Sequence, residues 1–546
     1  MATAIAGTAP LAVDVPVRAR RRRRPTPFLA ITSAVVGLVF AGPLGYLLVR
    51  NAQLGGDVVD VLTSSTTIDP LLRSLQLAVS VTVASAVLGT ALAWLVVRGD
   101  VPLRRLWQVL IPLPLVVPSF VGAAALVAAL AEGGLVDSLL PVSSLPEPEG
   151  FGGAFYVLTV LCYPYVYLPV AARLSALPPS PEESARLLGR TPWEMFRTIV
   201  LPQISGAIWA GALLVFLYVL SEFGAVAIVR YDTLTRAIYS SRLDPATSIP
   251  LSVVLGVLAL GIVALERALG RRRLSTDAVG AKRPLRVELG RWRVVGVLAL
   301  AATVLASLVG PIVVLAWWAV RGLASSESAV TSLVASPEEL LQPIANTAVV
   351  GVITAVVAVL VVLPVAQLTV RFRARWSEAP NAMVVAGFAL PGLVTALALV
   401  FWVLQLPPSV SASLYQTLPV LVAAYVLHFG AQAMRAAQVA VSGVSERVDD
   451  AARVLGAGAT RRFRTVQLPL MLPGLLAGGG MVLLSAMKEL PATLLLAPTG
   501  FETLATRIWA ANAEGFLAET GLTSLVLVLL SGMLTWWLVL RRAERL

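Results

Sequence analysis

Two glutamates stand at matching places in this chain, in segments that are otherwise apolar. Glu222 follows Pro202 by twenty residues, and Glu489 follows Pro469 by the same interval. Ionisable side chains at membrane depth usually face the protein interior or a water-filled path, so the spacing predicts that both carboxylates line one pathway. Their oxygens suit a hard cation, whereas a neutral sugar would not need them. The alternative is that both acids lie at a membrane interface, with Glu489 neutralised by the adjacent Lys488.

Other reactive residue types are scarce. The chain has one cysteine, Cys162, and one histidine, His428, which excludes disulfide frameworks and Cys/His metal clusters. Packing in the core is expected for both. A phosphate-binding P-loop needs Gly-Lys-[Ser/Thr], but neither Lys282 nor Lys488 follows a glycine. We therefore predict no catalytic residues, no structural metal site and no ATP bound by this chain, and a membrane enzyme is disfavoured because no nucleophile–base set stands out.

The overall composition places the chain in a membrane. Hydrophobic residues make up 58% of it and charged residues only 13%, whereas a soluble domain carries about 25% charge. Because lipid leaves the backbone of an open sheet unsatisfied, we predict an all-α polytopic membrane protein with about 12 transmembrane helices as two parallel six-helix repeats. The apolar runs, each of about twenty residues as a hydrocarbon core requires, lie near 28–49, 75–97, 107–131, 153–172, 204–221 and 249–265, and near 294–320, 346–370, 382–404, 417–434, 470–487 and 521–540.

The arginines predict the orientation of the chain and its division. Basic residues fill a tail at 1–27 and a linker at 267–293, and the positive-inside rule places both in the cytoplasm. They bound a first half at 28–266 and a second half at 294–546, and an even number of spans in each half leaves both termini cytoplasmic. Juxtamembrane arginine also accounts for the net charge of +12, so we predict contact with the lipid bilayer and none with nucleic acid. The first apolar run is too long for a cleaved signal peptide.

One polar motif occurs twice, about half the chain apart. Loop one, residues 180–202, carries the pattern acid-x-Ala-x3-Gly-x9-Ile-x-Leu-Pro, and loop two, residues 447–469, repeats it with Val in place of Ile. The repeat indicates an internal duplication. Because both copies are polar stretches of an apolar chain, we predict two exposed cytoplasmic loops that dock a partner protein.

The capping signals predict the local structure of loop one. Ser180 with Glu183, and Thr191 with Glu194, have the spacing of capping boxes, and Gly189 between them suits a left-handed helix stop. We therefore predict two short helices joined at the glycine, the second of which ends near Pro202. Loop two lacks these boxes, so its helix pair is expected to be looser.

Together these features resemble the fused, two-half permease of an ATP-binding cassette importer. In that superfamily the repeated loop forms a coupling helix that inserts into a cleft of an ATPase subunit. The resemblance implies two cytoplasmic ATPase subunits, which hold ATP and magnesium, an extracytoplasmic substrate-binding protein, and a bacterial plasma (inner) membrane location. Carried over by position, the ATPase-docking residues are Glu183, Ala185, Gly189, Leu201 and Pro202 in loop one, and Asp450, Ala452, Gly456, Leu468 and Pro469 in loop two.

A further pair of segments narrows the cargo. Residues 488–507 and Thr233–Tyr239 resemble the ferric-iron importer permeases, which implies that Glu222 and Glu489 line the path of a ferric cation. Thiamine permeases share much of this pattern, and related permeases carry phosphonates, polyamines or oxyanions, so these cargoes stay open. The mechanism implied is alternating access, in which ATP shifts the permease between two states through the docking loops.

Two prolines and one other class of transporter complete the expectations. Pro118 and Pro391 are expected to kink the third and ninth spans along the pathway. An ion-coupled secondary transporter can also have twelve spans in parallel halves. Such a protein would be expected to carry ionisable residues in mid-span, and apart from His428 almost none occur here.

Overall fold

The computed structural model describes residues 25–55, 57–139, 148–270, 286–324, 338–372 and 377–543. Every regular element within them is helical, apart from one isolated bridge between Gly99 and Val287. The α-helices are α1 Pro27–Leu54, α2 Asp57–Thr63, α3 Ser65–Arg98, α4 Arg104–Leu110, α5 Ser119–Leu130, α6 Leu135–Leu139, α7 Gly150–Cys162, α8 Pro164–Ala176, α9 Ser180–Leu187, α10 Pro192–Met195, α11 Leu201–Ser221, α12 Gly224–Ile228, α13 Leu234–Ser240, α14 Pro245–Gly270, α15 Trp292–Val304, α16 Gly310–Ala324, α17 Glu338–Arg371, α18 Glu378–Ala389, α19 Gly392–Leu404, α20 Pro408–Leu414, α21 Leu418–Gly443, α22 Glu446–Val454, α23 Ala459–Arg462, α24 Leu468–Met487, α25 Pro491–Leu496, α26 Leu504–Ala513 and α27 Leu517–Ala543.

The predicted all-α, multi-pass fold is confirmed. Among the described residues, 11 helices are long and apolar enough to cross a membrane, and the number rises to 12 if one sharply bent pair counts as a span. The predicted helix 249–265 extends to Gly270, beyond the expected end of the first half at 266. Residues 1–24 of the basic tail, 271–285 of the linker and the segment 140–147 lie outside the described residues.

The third and ninth spans differ from their prediction as single kinked helices. Pro118 is the N-cap of α5, and Pro391 is the N-cap of α19, and both have extended backbone angles. The halves of the ninth span meet at 101°. Proline removes a backbone donor and disfavours the helical region for the residue before it, so each proline breaks the span and starts a new helix.

The two halves share one packing pattern. In the first half α3, α8 and α11 pack on one another, and in the second half α17, α21 and α24 do the same. The first span of each half crosses to the other half, since α1 packs against α18 and α16 packs against α5. The halves therefore enclose a common space between two similar three-helix cores.

Neither loop ends where its Leu-Pro pair predicts. A π-helical turn, Phe196–Val200 in loop one and Phe463–Gln467 in loop two, joins the short loop helix directly to α11 or α24. The amide of Leu201 bonds to the carbonyl of Phe196, five residues back. Proline at the next position has no donor and its ring crowds the preceding turn, and a widened π turn relieves that crowding. The loops are thus rigidly continuous with membrane-spanning helices.

A test of the helix packing is available on α11. A Cβ atom at Gly211 would lie 2.6 Å from Cα of Val166 and 2.7 Å from the carbonyl oxygen of Tyr165 on α8. We expect Gly211→Ala to force the helices apart and destabilise the protein by about 1–3 kcal/mol, read as a lower melting temperature in detergent. Gly206→Ala, where nothing lies within 4 Å, is the matched control and should leave the melting temperature unchanged or raise it. Equal melting temperatures for the two variants would contradict this packing.

Candidate functional site

A cavity of about 290 Å³ lies between the two halves, and both predicted pathway glutamates line it. The broken spans reach the same space, since α5 begins at its wall with Ser119 and α19 with Gly392. The wall includes both acidic and basic side chains as well as hydroxyl, phenol and amide groups. Its polar lining residues are Ser119, Cys162, Tyr165, Tyr218, Ser221, Glu222, His428, Gln432, Ser485, Lys488 and Glu489.

Glu222 is held where α11 ends. Its Oε1 atom accepts hydrogen bonds from the hydroxyl of Ser119, at 2.9 Å, and from the amide of Ala225, at 2.9 Å. The side chain therefore caps α12 and joins it to the first turn of α5. Only 8% of the residue is exposed, so the carboxylate is fixed at the cavity wall.

Glu489 occupies the matching place at the end of α24. Its Oε1 atom accepts a hydrogen bond from the amide of Ala492, at 3.2 Å, which caps α25. A Cβ atom at Gly392 would lie 2.8 Å from the same oxygen, so the missing side chain lets α19 approach the carboxylate. In each half the residue after the span-breaking proline thus contacts the glutamate of that half.

The two carboxylates cap helices and also line the cavity. As helix caps they satisfy backbone donors that would otherwise be unpaired, which explains their positions without reference to any cargo. The cavity thus receives one carboxylate from each half, at matching places. Hard oxygen donors of this kind suit hard cations.

The neighbouring ionisable groups are placed differently from the sequence expectations. Lys488 donates from Nζ to the carbonyl oxygen of Leu115 at 3.1 Å, and it forms no ion pair with Glu489 in the described structure, which does not support the alternative in which Lys488 neutralises Glu489. Cys162 and His428 are packed among other side chains as expected, yet both also contribute to the cavity wall. The reason is that α7 and α21 face the space between the halves.

Loop one has one of its two predicted capping boxes. Thr191 and Glu194 bond reciprocally through side chains and amides, at 3.0 and 3.3 Å. The amide of Thr191 holds the pKa of the exposed Glu194 carboxyl below its usual value, so this cap is retained above the normal glutamate range and weakens as the pH falls through the lowered pKa. The box at Ser180 is absent, because Ser180 is already helical and Pro179 precedes it as an N-cap without a side-chain bond.

The glycines of both loops adopt the predicted left-handed backbone, with φ of 75° at Gly189 and 79° at Gly456. Each turn presents two large apolar side chains to solvent, which sequence reasoning missed. Leu187 and Leu188 are 90% and 80% exposed in loop one, and the corresponding Val454 and Leu455 are 87% and 86% exposed in loop two. Exposed apolar pairs beside polar residues are typical of a protein interaction site.

Loop two has internal contacts that its sequence does not reveal. Asp449 accepts hydrogen bonds from Nε of Arg462, at 3.2 Å, and from the amide group of Gln467, at 2.7 Å. These bonds tie α22 to the π turn that leads into α24. One buried carboxylate thus links the elements of loop two where the capping boxes are lost, and the looser helix pair expected from the sequence stays a prediction.

The predicted docking residues fall into exposed and supporting groups. Ala185 lies on the buried side of α9. Leu201, Asp450, Ala452 and Leu468 are partly buried, and the exposed members are Glu183, Gly189, Pro202, Gly456 and Pro469. The buried and partly buried residues hold the loops in place. The exposed residues, which include both glycines of the turns, are open to a partner.

The comparisons with known proteins follow the same division into halves. The family model described as binding-protein-dependent transport system inner membrane component matches residues 85–273 and again 362–542. The chain is 30% identical, over 518 residues, to the Fe(3+)-transport system permease protein FbpB 2 of Haemophilus influenzae, covering 94% of this chain and 97% of that protein. It is 29% identical, over 250 residues, to the sulfate transport system permease protein CysT of Escherichia coli, covering 43% of this chain and 90% of that protein. Two matches to one family model confirm the internal duplication.

Proposed function

This chain belongs to the family of binding-protein-dependent transport system inner membrane components, and from that premise we propose that it carries ferric iron delivered by a substrate-binding protein. It is a multi-pass permease subunit of an ATP-binding cassette importer, a transport component and not an enzyme. Beyond this role we propose its cargo, its partners and an orientation with both termini in the cytoplasm.

The cargo proposal is carried by one observation: Glu222 and Glu489, at matching places in the two halves, line one cavity between them. A cation that enters this cavity meets a carboxylate from each half. Ferric iron is a hard cation that favours such oxygens, and a permease named for its transport is 30% identical to the chain over nearly the full length of both.

A sulfate-like oxyanion is the second candidate. One relative, which covers about half of the chain, is named for sulfate transport, and Lys488 adds a cationic group to the cavity wall. An anion would have to pass the two glutamates, which argues for iron. Thiamine stays a third candidate on the sequence resemblance.

Uptake by cells that express the complete transporter separates these cargoes. Radiolabelled ferric iron, sulfate and thiamine are offered in parallel to cells with and without the permease. Uptake of iron alone supports the proposal. Permease-dependent uptake of sulfate or thiamine, with none of iron, would keep the importer and overturn the ferric assignment.

The driving partners are proposed to be two cytoplasmic ATPase subunits, which hold ATP and magnesium and dock on the two loops. The exposed pairs Leu187–Leu188 and Val454–Leu455 offer each ATPase an apolar contact at a fixed turn. Covering such a pair with a partner removes its apolar surface from water, which favours binding. Since each loop continues into a membrane-spanning helix through its π turn, a shift of the docked ATPase reaches the cavity wall.

Replacing the pair in loop one tests this contact. We expect Leu187→Asp with Leu188→Asp to lower the amount of ATPase that co-purifies with the permease by at least about tenfold, since the interface would lose two leucines that docking covers. Leu243→Asp changes a leucine that is 88% exposed outside either loop and serves as the control. Equal co-purification of the two variants would place the ATPase contact elsewhere.

A further inference from the structure

A buried ion pair joins loop one to the end of a membrane-spanning helix. Arg98 is the last residue of α3. Its guanidinium donates a hydrogen bond to each carboxylate oxygen of Glu182 on α9, at 2.9 and 3.3 Å. The two residues are only 2% and 4% exposed. Two parallel bonds from a planar guanidinium fix the relative direction of the groups as well as their distance.

The end of the linker fastens the same junction. The amide of Val287 donates to the carbonyl oxygen of Arg98 at 2.8 Å, and the amide of Leu289 donates to Oδ1 of Asp100 at 3.0 Å. The segment 286–289 therefore lies along the end of α3. On its other side, Arg186 of α9 donates to the carbonyl oxygen of Arg286 at 3.4 Å. The linker thus contacts both members of the junction.

Loop two is attached in another way. Arg371, the last residue of α17, donates to the carbonyl oxygen of Val444 at 2.9 Å. Asp449, which corresponds to Glu182, bonds to Arg462 and Gln467 within loop two. In the described part of the chain no ion pair joins Arg371 to Asp449. The duplicated halves therefore differ in the partners of these matching residues.

The helix that receives the ion pair leads to the cavity. α3 packs on α8 and α11, so closely that a Cβ atom at Gly89 of α3 would lie 2.7 Å from the carbonyl oxygen of Tyr163. Tyr165 of α8 and Tyr218 of α11 line the cavity. Separating a buried charge from its partner is costly, so α3 must follow when α9 moves.

We propose that the Arg98–Glu182 pair, held by the linker, is a positioning pair that transmits movement of loop one through α3 to the cavity, a role that the matching residues Arg371 and Asp449 of the second half do not share, because each has a different partner. The inference rests on the proposed docking of ATPases at the loops. It assigns the matching residue pairs of the two halves different tasks, although the loops arose by duplication. It also gives the linker a mechanical role at the first loop.

The native cysteine provides a readout that does not depend on the cargo. Cys162 belongs to the cavity wall but is buried, with 1% of the residue exposed. N-ethylmaleimide therefore reaches its thiol only when the wall opens, and the rate of modification, followed by mass spectrometry of its peptide, reports that opening. The complete transporter, purified with its ATPase subunits, is compared without nucleotide and with ATP plus vanadate. In wild type we expect the nucleotide to change the rate of modification.

Glu182→Gln is the test variant. We expect it to bind the ATPases within about twofold of wild type, while the nucleotide-dependent change at Cys162 falls by about tenfold, within the usual range of coupling between sites. Glu519→Gln removes the acid of another buried pair, Arg507–Glu519 at 2.7 Å, and should keep the wild-type response. Asp100→Ala, which frees Leu289 of the linker, should give an intermediate loss and serves if Glu182→Gln does not fold.

The outcomes separate this inference from the proposed function. A wild-type response at Cys162 in Glu182→Gln or, where that variant does not fold, in Asp100→Ala, with ATPases bound, would overturn the positioning role and leave docking intact. A loss in the Glu519→Gln control equal to that in Glu182→Gln would also overturn it, since general loosening would then suffice. Absence of ATPases from the wild-type complex would overturn the docking proposal and this inference with it.

Discussion

Placing arginine at both loop glycines, Gly189→Arg with Gly456→Arg, is expected to abolish transport, with uptake reduced about a hundredfold. Both glycines have positive φ, where a residue with a side chain pays about 1–2 kcal/mol. The larger effect is at the interface. Each arginine would place a long cation beside an exposed apolar pair, Leu187–Leu188 or Val454–Leu455. Loss of a central contact costs about 2 kcal/mol or more at each loop. The two losses together lower the affinity for the ATPases by a factor of several hundred or more. The measurement is uptake of the transported cargo together with co-purification of the ATPase.

The control makes the same substitution at a glycine with positive φ that lies outside both loops. Gly515 also has positive φ, 82°, ends a helix through the same pattern of backbone hydrogen bonds as Gly189, and has no atom within 4 Å of a Cβ built there. Gly515→Arg should therefore reach the membrane and transport normally. The docking role of the loops fails if the double variant reaches the membrane and still transports at the wild-type rate. A low amount of protein in the membrane would instead show that the glycines serve folding.

Removing both cavity charges, Glu222→Gln with Glu489→Gln, is expected to lower ferric-iron uptake about a hundredfold. Glutamine keeps an oxygen that can accept the bonds from Ala225 and Ala492, so the helix caps stay and only the negative charge is lost. A hydrogen bond or ion contact to a charged group contributes about 1.5–3 kcal/mol, which is about tenfold or more for each carboxylate. Initial uptake rates at equal protein in the membrane measure the effect.

The single variants and a distant acid complete this test. Each single replacement should lower uptake about tenfold if the carboxylates act at successive or shared positions on one path. Glu514→Gln changes an exposed acid that does not line the cavity and should transport as wild type does. Unchanged iron uptake in the double variant would remove the two carboxylates from the pathway. An increase in sulfate uptake in the same variant would favour the oxyanion.

Much of the site is visible in the sequence because it is periodic or repeated. Apolar runs long enough for a bilayer fix the helical, multi-pass class, since no other backbone arrangement satisfies its hydrogen bonds in lipid at this run length. The repeated loop motif located both glycine turns, whose left-handed backbone follows from the absence of a Cβ atom. The equal spacing of Glu222 and Glu489 from their loop prolines located two residues that share one cavity.

The third and ninth spans differ from their prediction because a break at a proline does not change the hydropathy of a segment. An apolar run shows only that a segment can lie in lipid, so 107–131 and 382–404 were each predicted as one span. The structure starts a new helix after Pro118 and after Pro391. The same residue type at Pro202 and Pro469 widens a helix into a π turn without breaking it. Which of the two happens depends on the neighbours that satisfy the freed backbone groups.

The sequence by itself determined the class of the protein, its duplication and the positions of the two loops, because these depend on composition and on short-range spacing. The tertiary structure alone decided which acid of each loop is buried. Glu182 and Glu183 are adjacent and chemically alike, but only Glu182 lies on the side of α9 that meets Arg98. In loop two the equivalent Asp449 meets Arg462 instead. Contacts between residues far apart in the chain depend on how the helices pack, and packing made the two copies of one motif different.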